Sequence, residues 1–544
     1  MRRLAASLPR FVILLTAVLI AAGCGSSGAS TETPVASTLR WPLVNEPDTL
    51  DPARATDTNS SLIINNVFEG LVRFDEHNRL VPNIAESWNV SNDRMTYTFH
   101  IRHGVTFHNG RGVTADDVAY SINRCMADAQ SSVRTLYLND ILGARAVFDG
   151  RASTASGITV VDPFTLRIQI DAPKAYFLAK LAYPTAYIVA REEVESGPRW
   201  TEARMRNGRI ESHCIGTGPF RVADWQHSVR VRVQAFHDYW RGRPKVEWVD
   251  FPIVQDQQSR LSRFQADELD ATDVTAAQYP DLARDPVLKP ELRNETRLTI
   301  VYMALNIRIY PPFADRRVRR AFAYAIDQQR ISHVALNDVF QPAEGILPPG
   351  MPAYDKQFQG IPFDPKEALR LLRDAGFDPK THPLPPLDMQ YATIFTDLGR
   401  IAPTLAEMLH STLGVEVRLQ QTEWNTFLRD TREGRPPSYL LGWVADYIDP
   451  QDFLTILLHT GSENNRTGYS NLEFDRLCDL GDTEPDPIKR MALYTRANAI
   501  AIEDAPWVPL YYGSDPRLIH LRVHGVLSNL MGYLPFLTVE LSPK

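Results

Sequence analysis

Residues Phe11–Ala22, FVILLTAVLIAA, form an uncharged apolar run of twelve residues, and nothing later in the chain approaches it. A helix that spans a bilayer needs about 20 apolar residues, so this run suits the centre of an export signal better than a membrane span. Arg2, Arg3 and Arg10 supply the basic flank that such a signal carries. The remainder of the chain must fold in water outside the cytoplasm. It amounts to about 500 residues, more than one hydrophobic core serves, which predicts two or three domains or lobes. Removing residues 1–23 takes away three arginines and no acid, leaving 55 basic against 65 acidic groups, net −10. That balance argues against nucleic acid as a partner, because its binders present basic faces.

The apolar run ends at AAGC, with the cysteine at Cys24. This junction resembles a bacterial lipobox, in which the cysteine becomes the lipidated first residue of the mature chain, although Ala21 stands where Leu is usual. An ordinary cleaved signal with an incidental cysteine is the other reading. Residues 24–38 are rich in Gly, Ser and Thr and read as a lipid anchor and flexible tether. Cys125, Cys214 and Cys478 remain, an odd number that permits one disulfide at most, and spacing does not choose the pair. The chain has no CxxC, so a thiolate metal site is not expected.

Along the body, strand and helix patterns alternate without a repeat. RMTYTFHIR (Arg94–Arg102), FTLRIQI and VRVRVQAF alternate with period two, as half-buried strands do. Ser60–Leu71 reads as a helix ending near Gly70. TADDVAYSINRCM opens on a Thr-x-x-Asp capping box. Pro312–Ile331 reads as one amphipathic helix with arginines on its outer face. Phe363–Phe377 reads as another, with Asp364 as N-cap, Pro365 at the first position and Gly376 past the end. A helix and then a strand that exits at Trp424 come next. The class is α/β with some antiparallel α+β elements.

The motifs of chemistry are sparse. No GxSxG nucleophile elbow, HExxH or Cys/His pairing occurs. His100, His103 and His108 cluster in FHIRHGVTFHNG, but on a continuing strand His100 and His103 face opposite sides, which is poor geometry for one metal. GWVADYIDP (Gly442–Pro450) places Asp446 and Asp449 three residues apart, with Trp443 and Tyr447 flanking the first. A glycosidase pair needs about 5–9 Å between carboxyls and usually draws them from separate elements. No enzyme activity, catalytic residue, metal or cofactor is expected.

Taken in order, NEPDTLDP (Asn45–Pro52), the stretch from Glu69 to Arg124, GTGPF (Gly216–Phe220), PFADRRVRRAFAYAIDQQRI and GWVADYIDP resemble the large extracytoplasmic solute-binding proteins of bacterial ABC importers. This is the oligopeptide/dipeptide/nickel-binding family, solute-binding family 5, and the pattern is closest to oligopeptide binders. The resemblance covers nearly the whole mature chain. It implies a three-lobed, clam-like, periplasmic binding protein type II-like fold with an inserted lobe II. Lobe I would comprise 39–80, 205–300 and 515–544, lobe II 81–204, and lobe III 301–514. The crossings between lobes would lie near 293–306 and 508–516. In most members lobe II carries no ligand chemistry.

The resemblance also assigns roles. Asp446 matches the aspartate that binds a peptide's α-ammonium. Burying an ammonium without a partner is costly, so one carboxylate there offsets that cost and sets the peptide's direction. The remaining peptide backbone can pair as an added strand, blind to side-chain identity. Trp424 lies 22 residues before Asp446 and matches a pocket tryptophan. Glu46 matches a residue of lobe I near the ligand, although a turn role is equally in keeping with its sequence. Trp443 and Tyr447 are expected beside the ligand, and Asp449 as the cap of the next helix. GTGPF is expected to be a turn entering a strand. Some relatives have an arginine six residues before the aspartate to meet a peptide carboxylate; here Leu440 stands there, which leaves Arg432 or Arg435, or no partner at all. The expected function is capture of peptides by a monomer anchored through Cys24, for delivery to a permease/ATPase complex. The alternatives are a non-peptide solute, such as a nickel chelate, haem or oligosaccharide, and a peptide-binding signalling or chaperone protein with no transporter.

Overall fold

The computed structural model describes residues 37–131, 134–392 and 396–543. The export signal over 1–23 and the lipidated Cys24 lie outside the described residues, as does nearly all of the tether. Thr38, placed at the end of the tether by sequence, already pairs with Trp248 in the parallel strand Thr38–Arg40. No helix of the described residues is long and apolar enough to cross a membrane.

Three larger sheets organise the chain from Ser37 onward. The first joins Thr38–Arg40, Trp248–Pro252, Arg230–Ala235 and Phe220–Gln226. The second is antiparallel and contains Ala85–Val90, Thr96–Ile101, Thr165–Gln169 and Ile158–Asp162. The third has seven strands and mixes both directions: Ser438–Val444 runs antiparallel to Leu292–Leu305 and parallel to Leu387–Ala392. Strict alternation marks the half-buried strands, as in Thr96–Ile101 and Arg230–Ala235, where every second residue is buried. Leu292–Leu305 is covered on both faces in its second half. Val301, Met303 and Leu305 enter one core, and Ile300, Tyr302 and Ala304 the other. Helices Arg316–Ala325, Pro365–Asp374 and Thr396–Leu413 cover the first of these cores, and Leu472–Thr483 and Pro487–Asp504 the second.

Two long strands connect regions. Leu292–Leu305 and Trp507–Ile519 pair antiparallel, and the end of the latter also pairs with Ala271–Asp273. Their register shifts between Thr296 and Ile300, where Arg297–Thr299 stand opposite Gly513. A Cβ on Gly513 would lie 2.8 Å from the Thr299 Cβ, so the bulge needs glycine as its partner.

Local expectations meet several corrections. The first helix is Thr58–Val67, capped by Asp57, and it stops before Gly70. Gly70 serves close packing instead, since a Cβ there would come within 2.9 Å of the Leu181 carbonyl. The segment 312–331 is not one helix: Asp315 caps Arg316–Ala325, the chain extends at Ile326, and Asp327 caps a second short helix. Within it Arg319 is buried, donating to the carbonyls of Asp504 and Phe313, so the arginines do not all face outward. The capping box at Thr114 is present, with the Thr114 N–H donating to Asp117 at 2.9 Å. Asp364 accepts from Lys366 and Glu367 as the cap of Pro365–Asp374. Cys125, Cys214 and Cys478 are all buried free thiols.

Candidate functional site

Strand Ser438–Val444 leads into the site. Beyond Val444 the chain leaves the ladder, with the Ala445 N–H donating to the Leu298 carbonyl at 2.8 Å. The next turn is locked from below. Asp449 caps the short helix Pro450–Asp452 through the Gln451 N–H at 3.0 Å, and Arg490 grips its carboxylate at 2.7 and 2.8 Å. This anchoring fixes Asp446 on the wall of a cavity of about 1390 Å³.

Asp446 is half-buried, and no arginine, lysine or histidine among the described residues forms an ion pair with it. Desolvation pushes its carboxyl well above the usual carboxylate range, and hydrogen bonding from the Tyr137 and Tyr183 hydroxyls opposes that rise. These two rings stack at 4.1 Å and 15°. Both come from the segment 81–204, which also lends Leu136, Asn139, Arg145 and Phe148 to the cavity wall. The expectation that this segment stands apart from the site is therefore corrected: a tyrosine pair beside the acid stabilises its charged form at low cost in solvent exposure.

Behind Asp446 lies a second carboxyl, Asp452, which is 0% exposed. One of its oxygens accepts from the Asp446 N–H at 3.0 Å and the Trp443 Nε1 at 3.3 Å. Its other oxygen has no partner among the described residues. Burial and the Asp446 charge raise it well above the carboxylate range.

The other expected site residues separate into two groups. Trp443 and Trp424 line the cavity, half-buried, and Trp424 stacks on Phe427 at 5.9 Å. Trp424 opens helix Trp424–Arg432, one residue after its cap Glu423, and the preceding strand ends at Thr422. Glu46 also reaches the cavity, but its carboxylate is occupied by Trp225 Nε1, His227 Nδ1 and the Ser228 N–H. That turn contact holds it below the usual range and leaves it little capacity for a ligand. Tyr447 is a correction: it is 0% exposed, donates to Gln451, and packs edge-on against Tyr137 away from the cavity. Alternation of side chains along the chain turns it to the opposite face from Asp446.

Leu440 is wholly buried in a hydrophobic core, so its side chain does not reach the cavity. Arg435 is a correction as a carboxylate partner, because it is exposed and already paired with Asp430 and Glu433. Arg432 lines the cavity with no hydrogen-bond or ion-pair partner among the described residues, and burial together with the charge of Arg466 lowers its pKa. Arg466, which sequence reasoning missed, lines the same cavity and donates only to Thr431 Oγ1 at 3.1 Å. The Asn65 amide NH₂ on the cavity wall is likewise unpartnered among the described residues. No short motif marks Arg466 or Asn65; only the fold brings them in.

The histidines stand apart from this cavity. His108 is buried at the GTGPF turn, accepting from the Gly216 N–H at Nδ1, which leaves Nε2–H to donate to the Gly218 carbonyl at 3.0 Å. His103 stacks near Phe164 at 3.9 Å, and His100 meets Asn89. Among the described residues no group of three or more His, Cys, Asp or Glu side chains is arranged to hold a metal.

A cavity between sheets, walled by aromatics and entered by unpaired charges of both signs, suits the binding of a charged solute. Comparisons with known proteins agree. The Bacillus subtilis dipeptide-binding protein DppE is 30% identical over 507 residues, covering 90% of this chain and 89% of that one. The structure of the Escherichia coli murein tripeptide binding protein MppA matches with a TM-score of 0.81 at 28% identity, covering 93% of this chain and 99% of that one. The unliganded open form of MppA matches at 0.74 over 93% and 97% of the two chains, again at 28% identity. The family profile for bacterial extracellular solute-binding proteins, family 5, matches residues 79–465, well over half the sequence, and the chain belongs to that family.

Proposed function

We propose that this protein captures peptides in the cavity bounded by Asp446, Trp424 and Trp443, and delivers them to an ABC permease. The observation that carries this reading is Asp446: a carboxyl fixed on a cavity wall, with two tyrosine hydroxyls beside it and no protein cation to neutralise it. A peptide's α-ammonium supplies the missing charge. Arg432 and Arg466 offer a carboxylate the complementary charge that Leu440 cannot. The cavity, about 1390 Å³, exceeds the range of about 300–1,000 Å³ usual for small-molecule pockets, which favours an oligopeptide. A dipeptide-binding protein and a murein tripeptide binding protein among the relatives support the same class of ligand.

In this reading the three sheets mark three lobes. The lobes built on the first and third close about Leu292–Leu305 and Trp507–Ile519, where the ladder is interrupted at Arg297–Thr299. Ligand shifts the open–closed equilibrium by its extra contacts in the closed form, and no bond is made or broken. Trp424 forms a wall of a side-chain pocket. Cys24 carries the lipid that holds a monomer at the outer face of the membrane, and residues 25–37 are its tether.

Calorimetric titration of the mature chain with unblocked peptides of two to eight residues tests this. Saturable binding that disappears on N-acetylation is the expected result. Binding of haem, a nickel chelate or an oligosaccharide, with no heat from any peptide, would overturn it.

A further inference from the structure

Peptide capture through Asp446 assigns no role to Asp452. This second acid is wholly buried directly behind Asp446, and one of its oxygens accepts the Asp446 N–H at 3.0 Å. Its other oxygen is an orphan acceptor among the described residues. An ionised carboxylate left half-satisfied in a dry interior is among the most expensive groups a fold can carry.

The surroundings do not neutralise it. From its own turn, Asp449 adds negative charge but is already held by Arg490. From the segment 81–204, Tyr137 and Tyr183 face Asp446 with neutral hydroxyls, and Tyr533 lies nearby on the C-terminal segment. Tyr447 is buried beside the pair and bonded to Gln451. The only donors to the occupied Asp452 oxygen are a backbone N–H and an indole.

We propose that Asp446 and Asp452 share one proton in the empty cleft, and that an arriving ligand ammonium expels it to the cavity water. The charge count is balanced: a singly protonated pair carries −1, and the same pair ionised beside one ammonium also totals −1. Asp452 thus acts through Asp446 as a positioning residue that makes binding of a cationic head group release a proton. Two carboxyls this close, one without solvent, do not both ionise until a cation joins them. This rests on the reading of Asp446 as the ammonium receptor.

The test uses tetra-alanine and the mature chain between pH 5.5 and 6.5, where a peptide amine, with a pKa of about 8, stays protonated. Titrations in phosphate and in Tris report the protons exchanged from the difference in heat. The expected result is net release of a fraction approaching one proton per peptide, with affinity rising by up to about tenfold per pH unit. Asp452→Asn should abolish the release and flatten the pH dependence. Equal heats in both buffers for the wild type, or undiminished release in Asp452→Asn, would overturn the proposal. If tetra-alanine does not bind, the peptide reading is what fails, and infrared spectroscopy of the ligand-free protein decides the shared proton. A carboxylic-acid C=O band at pH 6 that Asp452→Asn removes supports it; absence of that band in the wild type refutes it.

Discussion

Replacing Asp446 with asparagine should move affinity and stability in opposite directions. The amide keeps the shape and an acceptor oxygen for Tyr137 and Tyr183, so the turn held by Asp449 and Arg490 stays in place. Truncating one partner of a buried charge pair costs about 2–5 kcal/mol. Asp446 retains some contact with cavity water, so the lower part of that range applies, about 2–3 kcal/mol or roughly 30- to 150-fold in Kd. Without ligand the sign reverses. The carboxyl is raised in the folded state, so above its unfolded value it destabilises the fold, and the penalty grows as pH rises through that interval. Asp446→Asn should therefore melt higher than the wild type at pH 7.5. Calorimetry with free and N-acetylated peptides, beside thermal melts of the ligand-free proteins, reads both effects. A variant that still prefers the free amine by the wild-type ratio, or that melts lower, would refute the reasoning.

Four further outcomes are expected. Arg432→Ala with Arg466→Ala should narrow the difference in affinity between peptides with a free and an amidated C-terminus; an unchanged ratio in isothermal titrations would remove the pair from the site. Trp424→Ala should change side-chain preference across a peptide panel, and a loss of folding seen by circular dichroism would instead mark it as core. His108, held neutral by burial with its pKa lowered to about 4, contributes stability that is complete above about pH 6.5 and lost toward pH 4, up to about 3 kcal/mol; urea unfolding across that window should show a slope that His108→Gln reduces. Gly216→Ala would set a Cβ 1.9 Å from the Val67 carbonyl oxygen and should destabilise by about 3 kcal/mol or more, whereas Gly112→Ala, with nothing within 4 Å, should leave the thermal midpoint nearly unchanged.

Much of the fold and part of the site were readable in the residues, and the gaps have physical causes. Local signals worked where the chain itself supplies the bonding partner: the Thr114 box, the Asp364 cap and the alternating strands need only near neighbours. The 312–331 segment misled because charged residues on a helical pattern look solvated, whereas the Arg319 guanidinium finds carbonyls 185 and 6 positions away. Asp446 was found by its motif. Tyr137, Tyr183, Asp452, Arg466 and Asn65 were not, because their place at the cavity depends on contacts between distant segments. Tyr447 shows the converse: adjacency in sequence to a site residue does not put a side chain in the site when the backbone turns it into a core.

The most direct measurement is native mass spectrometry of the mature protein purified from its host or from a peptide-rich medium, with denaturation and identification of the molecules released. The account predicts a set of short unblocked peptides of varied sequence, lost from Asp446→Asn. A single non-peptide mass or a metal ion in their place would contradict it.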